Sequence, residues 1–464
     1  MQTNDIEIEV LSEEEKREYR RQRRIRNQRI AIISLILFII VLVAVVIGGI
    51  FIINNRIEIK KQQQEIEEQL TQIETEQETS AEVVVEEAEG STDESTGADG
   101  ETMTEESDAQ QQYTEEVLDD VVEAVISEMT LEEKVAGLFI VTPEAITGVD
   151  TAVQAGDGTK KALEKYPVGG LIYFAKNIQS EDQIKKMVEN SVSYCKYPMF
   201  IAVEEEGGEV SRLAEKLKLD NVGDMADIGV TGDNTKAYEA MKTIGTYMSG
   251  YGFNLNFAPV ADVLTNEKNA SIGDRAFGSD ASVVAGMVIS SVQGLEEAGV
   301  TACVKHFPGL GDASEDTHNG LAVVDKSLEE LKQAELIPFI SAIENDANMI
   351  MIGHVSLPQV VGDNTPATMS KEVISELLRS ELGFNGVVIT DAMNMGAITE
   401  YYGSDEAAIR AFKAGADMVL MPEDFEMAYE GVVAAVKDGT ISEDRINNSL
   451  KRVFRIKYAD RVGE

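Results

Sequence analysis

The chain has three histidines in 464 residues, and all of them fall in one short stretch. They are His306, His318 and His354. The first two stand in the segment KHFPGLGDASEDTH (305–318), which also supplies Lys305, Asp312 and Asp316. A histidine can donate and accept a proton near neutral pH. A concentration of histidine, lysine and carboxylates therefore suits acid–base chemistry.

Short apolar runs of the β type recur along the chain and set the elements that must position these residues. There are eight of them: GLFIVT (137–142), VGGLIYFA (168–175), MFIAVE (199–204), FNLNFAPVADV (253–263), VTACVKHF (300–307), NMIMIGHV (348–355), GVVITDAM (386–393) and ADMVLMP (416–422). The segments between them have helical patterns, such as DQIKKMVENSVSYC. Strands buried on both faces that alternate with amphipathic helices predict a parallel sheet.

Eight such units in roughly 350 residues predict an α/β fold, a (β/α)8 TIM-type barrel. A doubly wound open sheet is the alternative. The first run is not followed by a Gly-x-Gly-x-x-Gly motif, and this disfavours the open sheet.

Polar residues stand at the carboxyl ends of several of these runs. In chain order they are Glu204, Asp262, Lys305 with His306, His354 and Asp391. Such groups are costly at the end of an apolar strand unless they are paired or solvated. The carboxyl ends of barrel strands meet at one face, where active sites form. We therefore expect these side chains to share one site rather than to serve as separate caps or core hydrogen bonds.

The composition excludes some classes of protein. The net charge of −43 argues against a nucleic-acid partner, since a phosphate backbone needs a basic surface. Two cysteines, Cys195 and Cys303, do not make a disulfide framework, so they do not set the redox compartment.

The N-terminal region predicts a membrane anchor. Residues 30–53 form an apolar run without charge, long enough to span a bilayer. The preceding residues 16–29 are dense in arginine, which places residues 1–29 in the cytoplasm and the rest of the chain outside the cell membrane. A cleaved signal peptide is the alternative, disfavoured by the length of the run and by the lack of a clear cleavage site.

Residues 54–112 have the composition of a stalk. Ile59, Ile66 and Ile73 repeat every seven residues, which is a weak coiled-coil signal, and a plain exposed helix is the alternative. Residues 78–112 are acidic and rich in Ser, Thr and Gly, and we expect them to stay disordered. The folded domain is then expected over residues 113–464. Beyond a possible weak association of the stalk, the oligomeric state stays open.

Sequence blocks along residues 113–464 carry a resemblance to a known family. Besides KHFPGLGDASEDTH they are MTLEEKVAGLFIV (129–141), EEGGEVSRL (205–213), NFAPVADV (256–263), IGDRAFG (272–278), PATMS (366–370), LRSELGFNGVVITDAMNMGAI (378–398) and AGADMVLMP (414–422). In order and spacing they resemble glycoside hydrolase family 3, in its single-domain β-N-acetylglucosaminidase branch. The resemblance implies a carbohydrate substrate and no cofactor or metal.

The resemblance implies roles for three catalytic residues. Asp391 matches the carboxylate nucleophile of a retaining glycosidase, and its alternative role is that of a helix N-cap. His318 matches the general acid/base, in a dyad with Asp316, and its alternative is a surface loop histidine.

Further residues match the family's sugar-binding positions. They are Arg212, Asp262, Arg275, Lys305, His306 and His354. The chain departs from the family at Glu204, where aspartate usually grips distal hydroxyls of the sugar, and at Leu310, where many members have histidine. The chain has no tryptophan, so Tyr173 and Phe174 are the candidates for a stacking surface.

Three functions remain open from the sequence. The first is a hydrolase that removes terminal β-N-acetylglucosamine, by resemblance from peptidoglycan fragments. The second is a phosphorylase, because an Asp/His dyad does not repel phosphate as an anionic base would. The third is a non-catalytic sugar-binding protein at the cell surface.

Overall fold

Eight parallel strands lie at the centre of the fold, in a computed structural model that describes residues 102–313 and 320–459. In chain order they are β1 (Phe139–Val141), β2 (Gly170–Ile172), β3 (Phe200–Val203), β4 (Leu255–Asn256), β5 (Thr301–Phe307), β6 (Met349–Ile352), β7 (Val387–Thr390) and β8 (Val419–Leu420). Each strand pairs with the next from β1 to β7, and β8 pairs with β1.

The two ends of this sheet meet between β7 and the residue before β8. Ile389 and Met418 form a parallel bridge, and the Thr390 N–H donates to the Met418 carbonyl at 3.2 Å. The result is an α/β fold with a nearly closed, barrel-like parallel sheet, consistent with a TIM-type barrel. The sequential strand order differs from that of a doubly wound sheet, in which the chain crosses over to non-adjacent strands.

Helices connect every strand to the next, as the alternating pattern predicts. The α-helices are Thr102–Glu128, Leu131–Ala136, Pro143–Thr147, Asp157–Lys165, Glu181–Tyr194, Arg212–Leu217, Met225–Val230, Asn234–Gly250, Ala281–Glu297, Leu328–Leu331, Ile337–Glu344, Pro358–Val361, Gly396–Thr399, Ser404–Ala414, Phe425–Lys437 and Glu443–Tyr458. Helix Glu372–Glu381 has π-type hydrogen bonds, and Ala175–Asn177, Gly273–Arg275 and Ala367–Met369 are single 3₁₀ turns. Short pairs of strands lie at Glu205–Gly207 with Val210–Ser211, and at Ala322–Val323 with Val355–Ser356.

The strands are apolar on both faces because both faces are covered. Every residue of β1, β6 and β7 is at most 1 % exposed. Each fully buried Ile, Val or Phe side chain contributes about 1.5–3 kcal/mol of transfer free energy, so these strands form a rigid frame for the groups at their ends.

A buried charge cluster around Asp417 lies at the amino ends of the strands. Asp417 precedes β8 and accepts hydrogen bonds from the Val388 N–H at 2.9 Å and the Ser449 hydroxyl at 2.8 Å. It also pairs with Arg379 and, at 3.1 Å, with Arg452. Burial lowers the pKa of Arg379 to about 10 although Asp417 favours the charged form. Because Ser449 and Arg452 belong to helix Glu443–Tyr458, the cluster fixes this helix against the amino ends of the strands.

Helix Thr102–Glu128 packs on helix Glu443–Tyr458. Leu118, Val122 and Ile126 are buried there, and Lys451 pairs with Glu123 at 2.5 Å. Residues 102–112 of the stalk, predicted to be disordered or helical, belong to this helix, which runs through the boundary predicted at residue 113. The physical reason is that helix propagation is cheap once the apolar residues after 113 are docked.

The predicted membrane anchor and most of the stalk lie outside the described residues. These are residues 1–29, 30–53 and 54–101. Within the part of the chain that the structure describes, no helix combines the length and apolarity that a bilayer-spanning segment requires.

Candidate active site

The predicted site residues in the described part of the chain converge at the carboxyl ends of the strands. A cavity of about 430 Å³ opens there, and its lining includes Glu204, Arg212, Arg275, His306 and Asp391. Lys305, Asp262 and His354 are fully buried beneath these residues. Asp316 and His318 lie outside the described residues.

A buried ion cluster around Glu206 forms one wall of the cavity. Arg275 donates two hydrogen bonds to the Glu206 carboxylate, from Nε at 2.7 Å and from Nη2 at 2.8 Å. The Lys305 ammonium lies 2.5 Å from Glu206 Oε1, and both of these side chains are at most 2 % exposed. Burial alone would favour neutral Glu206, but Lys305 and Arg275 outweigh burial and hold the pKa of Glu206 well below its usual range.

The same cluster keeps both cations charged. Burial alone would lower the pKa of Lys305 and of Arg275, but Glu206 raises both pKa values above their ordinary range. No role is predicted for Glu206 from the sequence, where it is the third of three consecutive glutamates in EEEGGE (204–209). Its neighbour in the sugar-binding prediction, Glu204, was the informative signal, but three consecutive glutamates are alike in sequence.

Glu204 faces the cavity and bridges two cations more loosely. Its side chain is 28 % exposed, and its carboxylate oxygens lie 3.4 Å from Lys305 Nζ and 3.4 Å from Arg212 Nη2. These distances exceed those of a strong charge-assisted hydrogen bond, so Arg212, which lines the cavity, retains capacity to bind a polar ligand.

Glu205 points away from the cavity and holds Arg212 in place. Its carboxylate accepts the Leu213 N–H at 2.8 Å and the Ala214 N–H at 2.9 Å, the first free donors of helix Arg212–Leu217. Tyr247 donates a further hydrogen bond at 2.9 Å. Burial raises the pKa of Glu205 in spite of these donors. Arg212 is therefore presented from a fixed helix start rather than from a free loop.

His306 is oriented by Asp262. Its Nδ1 lies 2.7 Å from Asp262 Oδ2, and Asp262 Oδ1 accepts the Leu310 N–H at 2.6 Å. Because Nδ1 is taken by the carboxylate, Nε2 is the nitrogen with which His306 can meet a ligand. Leu310, one of the two departures from the family pattern, lines the cavity and is 5 % exposed.

Asp391 follows β7 directly and is partly exposed to the cavity. Its N–H donates to the Ile352 carbonyl at 2.8 Å, and its Oδ1 accepts the Ala392 N–H at 2.7 Å. Burial opposes ionisation, but the nearby His354 and His306, the Ala392 N–H and Lys305 outweigh burial and lower the pKa of Asp391. The next helix begins only at Gly396, so Asp391 is not its N-cap.

His354 supports Asp391 from below. Its Nε2 lies 2.9 Å from the Ala392 carbonyl, and its Nδ1 lies 3.0 Å from the Thr368 hydroxyl. The imidazole is fully buried. Both ring nitrogens therefore contact protein groups, and His354 holds the backbone that follows Asp391.

Apolar side chains form the opposite wall of the cavity. They come from the ends of β2 and β8 and are Ile172, Phe174, Leu420 and Met421. Met421 has a φ of 45°, which is uncommon for a residue other than glycine, and its N–H donates to the Ile140 carbonyl at 2.8 Å. Such backbone strain concentrates at functional sites.

The expected stacking pair splits between core and cavity. Tyr173 is fully buried and its hydroxyl contacts Ser191 at 3.0 Å, so the expectation for Tyr173 is wrong. Successive strand residues point to opposite faces, and Phe174 is the one that lines the cavity.

The described residues contain no group of three or more His, Cys, Asp or Glu side chains arranged to hold a metal ion. The chemical resources of the site are therefore one ionised carboxylate on a rigid strand end, fixed cations and carboxylates on one wall, and an apolar wall opposite.

Comparison with known proteins places this site in a family. Residues 130–456 match the glycosyl hydrolase family 3 N terminal domain. The chain is 33% identical over 326 residues to β-hexosaminidase A of Pseudoalteromonas piscicida, covering 64% of this chain and 54% of that protein. It is 34% identical over 269 residues to a β-hexosaminidase of Idiomarina loihiensis, covering 57% of this chain and 79% of the relative.

A solved structure gives the same result. A glycoside hydrolase family 3 β-N-acetylglucosaminidase from Paenibacillus sp. str. FPU-7 superposes with a TM-score of 0.66 and 38% identity, covering 72% of this chain and 64% of that one. The chain thus spans about half the length of the first relative and under two thirds of this structure. These similarities are to glycoside hydrolases, and the chain belongs to glycosyl hydrolase family 3.

Proposed function

We propose that this protein is a retaining exo-β-N-acetylglucosaminidase, a β-hexosaminidase that removes terminal β-linked N-acetylglucosamine. The observation that carries the proposal is Asp391, an ionised carboxylate on a rigid strand end, facing a cavity with one polar and one apolar wall. The names of the similar proteins support the same substrate class.

Asp391 is the proposed nucleophile. One of its carboxylate oxygens attacks C1 of the sugar, the bond between C1 and the glycosidic oxygen breaks, and a glycosyl ester of Asp391 forms. The departing oxygen takes a proton from His318, the proposed general acid, which Asp316 orients. Water then attacks C1 and gives a proton back to His318, and the ester bond to Asp391 breaks. A low pKa for Asp391 keeps the nucleophile ionised in the pH range in which a histidine acid works.

The polar wall is the proposed binding surface for the sugar hydroxyls. Glu206 holds Lys305 and Arg275 in place. Arg212 and Glu204 face the cavity and lie 3.4 Å apart, so each can bind a sugar hydroxyl without breaking a strong ion pair. His306 presents Nε2, because Asp262 holds Nδ1. The cavity floor is closed by the buried strand ends, which supports removal of one terminal unit rather than cleavage within a chain.

The apolar wall is the proposed site of the acetamido methyl group. The acetamido group is on C2, next to the carbon that Asp391 attacks, and Met421 follows the strand adjacent to the one that carries Asp391. Burial of a methyl group against Met421, Phe174 and Leu420 is worth about 1 kcal/mol. This contact would favour an acetamido sugar over a sugar with a 2-hydroxyl.

We also propose that the catalytic barrel, residues 113–464, acts outside the cell membrane on peptidoglycan fragments. The support is the arginine-rich segment of residues 16–29, the apolar run of residues 30–53 and the acidic stalk of residues 54–112. Helix Thr102–Glu128 packs on the helix that lies at the amino ends of the strands, whereas the cavity opens at the carboxyl ends.

The test is turnover of nitrophenyl β-N-acetylglucosaminide and nitrophenyl β-glucoside by the full chain in detergent, with and without phosphate. We expect turnover of the acetylated sugar that is independent of phosphate and falls at least about 10³-fold in Asp391→Asn. Asp182→Asn, the same change on an exposed helix, is the matched control.

Other outcomes overturn specific parts of the proposal. Turnover that requires phosphate would assign a phosphorylase. Binding of N-acetylglucosamine by a folded protein without turnover of either substrate would assign a sugar-binding role. Equal turnover by Asp391→Asn would remove Asp391 from the mechanism.

A further inference from the structure

A buried carboxylate, Glu335, lies outside the cavity and close to the chain on either side of residues 314–319. It is 0 % exposed and stands between helices Leu328–Leu331 and Ile337–Glu344. Lys326 Nζ lies 2.5 Å from its Oε1, and the Thr265 hydroxyl donates to the same oxygen at 3.0 Å. A single buried carboxylate thus ties Lys326 to the loop that follows β4.

The contacts of Glu335 reach residues on both sides of 314–319. On the C-terminal side, Lys326 follows Ala322–Val323, which pairs with Val355–Ser356. On the N-terminal side, Asp312 Oδ1 lies 3.2 Å from Lys326 Nζ and 3.2 Å from the Thr265 hydroxyl oxygen. Asp312 and Lys326, which flank the segment in sequence, are therefore in contact in space.

The chain before Asp312 is also packed without slack. A Cβ atom at Gly311 would lie 1.8 Å from the Val263 carbonyl oxygen. A Cβ atom at Gly309 would lie 2.8 Å from the Glu335 Cβ, and Gly309 has a φ of 123°. Glu335 therefore packs under the backbone of KHFPGLGD as well as pairing with Lys326.

The cluster is costly for fold stability alone. Burying a carboxylate is unfavourable unless its oxygens are satisfied, and within the described residues Glu335 Oε2 has no hydrogen-bond partner. An apolar side chain would fill this space at lower cost. Fixing the backbone on both sides of residues 314–319 would explain why a charged cluster stands here.

We propose that Glu335, through Lys326 and Asp312, is a positioning residue that fixes both flanks of the segment carrying the proton donor. The inference rests on the proposed function, in which His318 within residues 314–319 protonates the leaving group. Glu335 touches neither the sugar nor the reacting atoms. Its effect is on how often the acid is aligned when the glycosidic bond breaks.

The leaving group separates this role from a general structural role. An alkyl or sugar leaving group needs a proton, whereas a dinitrophenolate leaves without one. Glu335→Gln keeps the shape and removes the charge that holds Lys326. For Glu335→Gln we expect kcat/KM to fall about 10- to 100-fold with chitobiose as substrate. With dinitrophenyl β-N-acetylglucosaminide as substrate, kcat/KM should fall less than about threefold.

Matched variants distinguish loss of positioning from misfolding of the protein. Lys326→Met, a partly exposed site, should give the same pattern as Glu335→Gln, and the double variant should be no worse than either single one. Lys332→Met, at another partly exposed lysine nearby, should change the turnover of neither substrate.

His318→Ala separates the two levels of the argument. If His318→Ala shows the leaving-group dependence and the Glu335 and Lys326 variants do not, the positioning role is overturned and the proposed function stands. If kcat/KM of His318→Ala falls by the same factor on both substrates, the proposed proton donor is overturned. An equal loss on both substrates in Glu335→Gln and in Lys326→Met would assign the cluster to stability alone.

Discussion

Replacing Glu206 by glutamine tests the central ion cluster of the site. The change leaves Lys305 and Arg275 buried beside each other without their shared carboxylate. Removing one partner of a buried ion pair costs about 3–5 kcal/mol. For a domain of roughly 350 residues, the entropy of unfolding is near 0.7 kcal/mol/K, so the melting temperature should fall by about 4–7 °C.

The pH dependence of this loss has a defined sign. The pKa of Glu206 is lowered, so its contribution to stability is present above its unfolded pKa of about 4.3 and is lost as pH falls through the lower folded value. The pKa of Lys305 is raised, so its contribution is present below about 10.4 and is lost as pH rises through the folded value. The full penalty of Glu206→Gln should therefore appear at neutral pH.

The assay is urea unfolding followed by circular dichroism, since the chain has no tryptophan. Glu209→Gln, the same substitution at an exposed position of the same short hairpin, is the stability control and should stay within about 0.5 kcal/mol of the parent. The loss of a buried ion pair should cost about 3–5 kcal/mol. If the free energy of unfolding of Glu206→Gln lies within about 1 kcal/mol of that of this control, the reasoning is refuted.

Three further predictions follow from the cavity walls and from Asp391. Glu204→Asp withdraws the carboxylate from Arg212 and Lys305, and should raise KM for the N-acetylglucosaminide about tenfold with kcat changed less than threefold. An unchanged KM would show that Glu204 does not contact the sugar. Met421→Ala should lower kcat/KM for the acetamido substrate about fivefold relative to the 2-hydroxy substrate, because a methyl contact is lost; equal losses on both substrates would contradict the acetamido assignment. The lowered pKa of Asp391 places the acid limb of kcat/KM for a dinitrophenyl substrate below about pH 3.9, and a limb above about pH 5 would contradict it.

The position of the site could be predicted from the sequence because the ends of the strands can be recognised from the apolar runs. Glu204, Asp262, Lys305, His354 and Asp391 each follow or end an apolar run, and parallel strands in a barrel bring those ends to one face. The eight runs located all eight strands of the sheet. Local apolar pattern and one topological rule were sufficient for this part.

The different roles of the neighbouring residues Glu204, Glu205 and Glu206 could not be predicted from the sequence. Glu204, Glu205 and Glu206 are identical in type, yet one faces the cavity, one caps a helix and one neutralises two cations. Their directions depend on the short hairpin after β3 and its irregular register. The roles of Tyr173 and Phe174 likewise depend on strand alternation at the exact residue where β2 ends.

Partners far apart in sequence were also not readable. Asp417 meets Arg379 and Arg452, and Glu335 meets Thr265 and Lys326, only because the barrel brings separate connections together. No local spacing signals such contacts. Asp417 and Glu335 are therefore buried and paired in the fold, although no local pattern predicts their partners.

The most direct test of the account is to trap the covalent intermediate. The full chain would be incubated with a 5-fluoro N-acetylglucosaminyl fluoride, which forms the glycosyl ester quickly and releases it slowly. Intact mass and peptide mass spectrometry then locate the added sugar. We predict one sugar per chain on Asp391, in the peptide that contains VVITDAMNM, and no label in Asp391→Asn. A label on another residue, or turnover of the N-acetylglucosaminide without any trapped ester, would contradict the proposed mechanism.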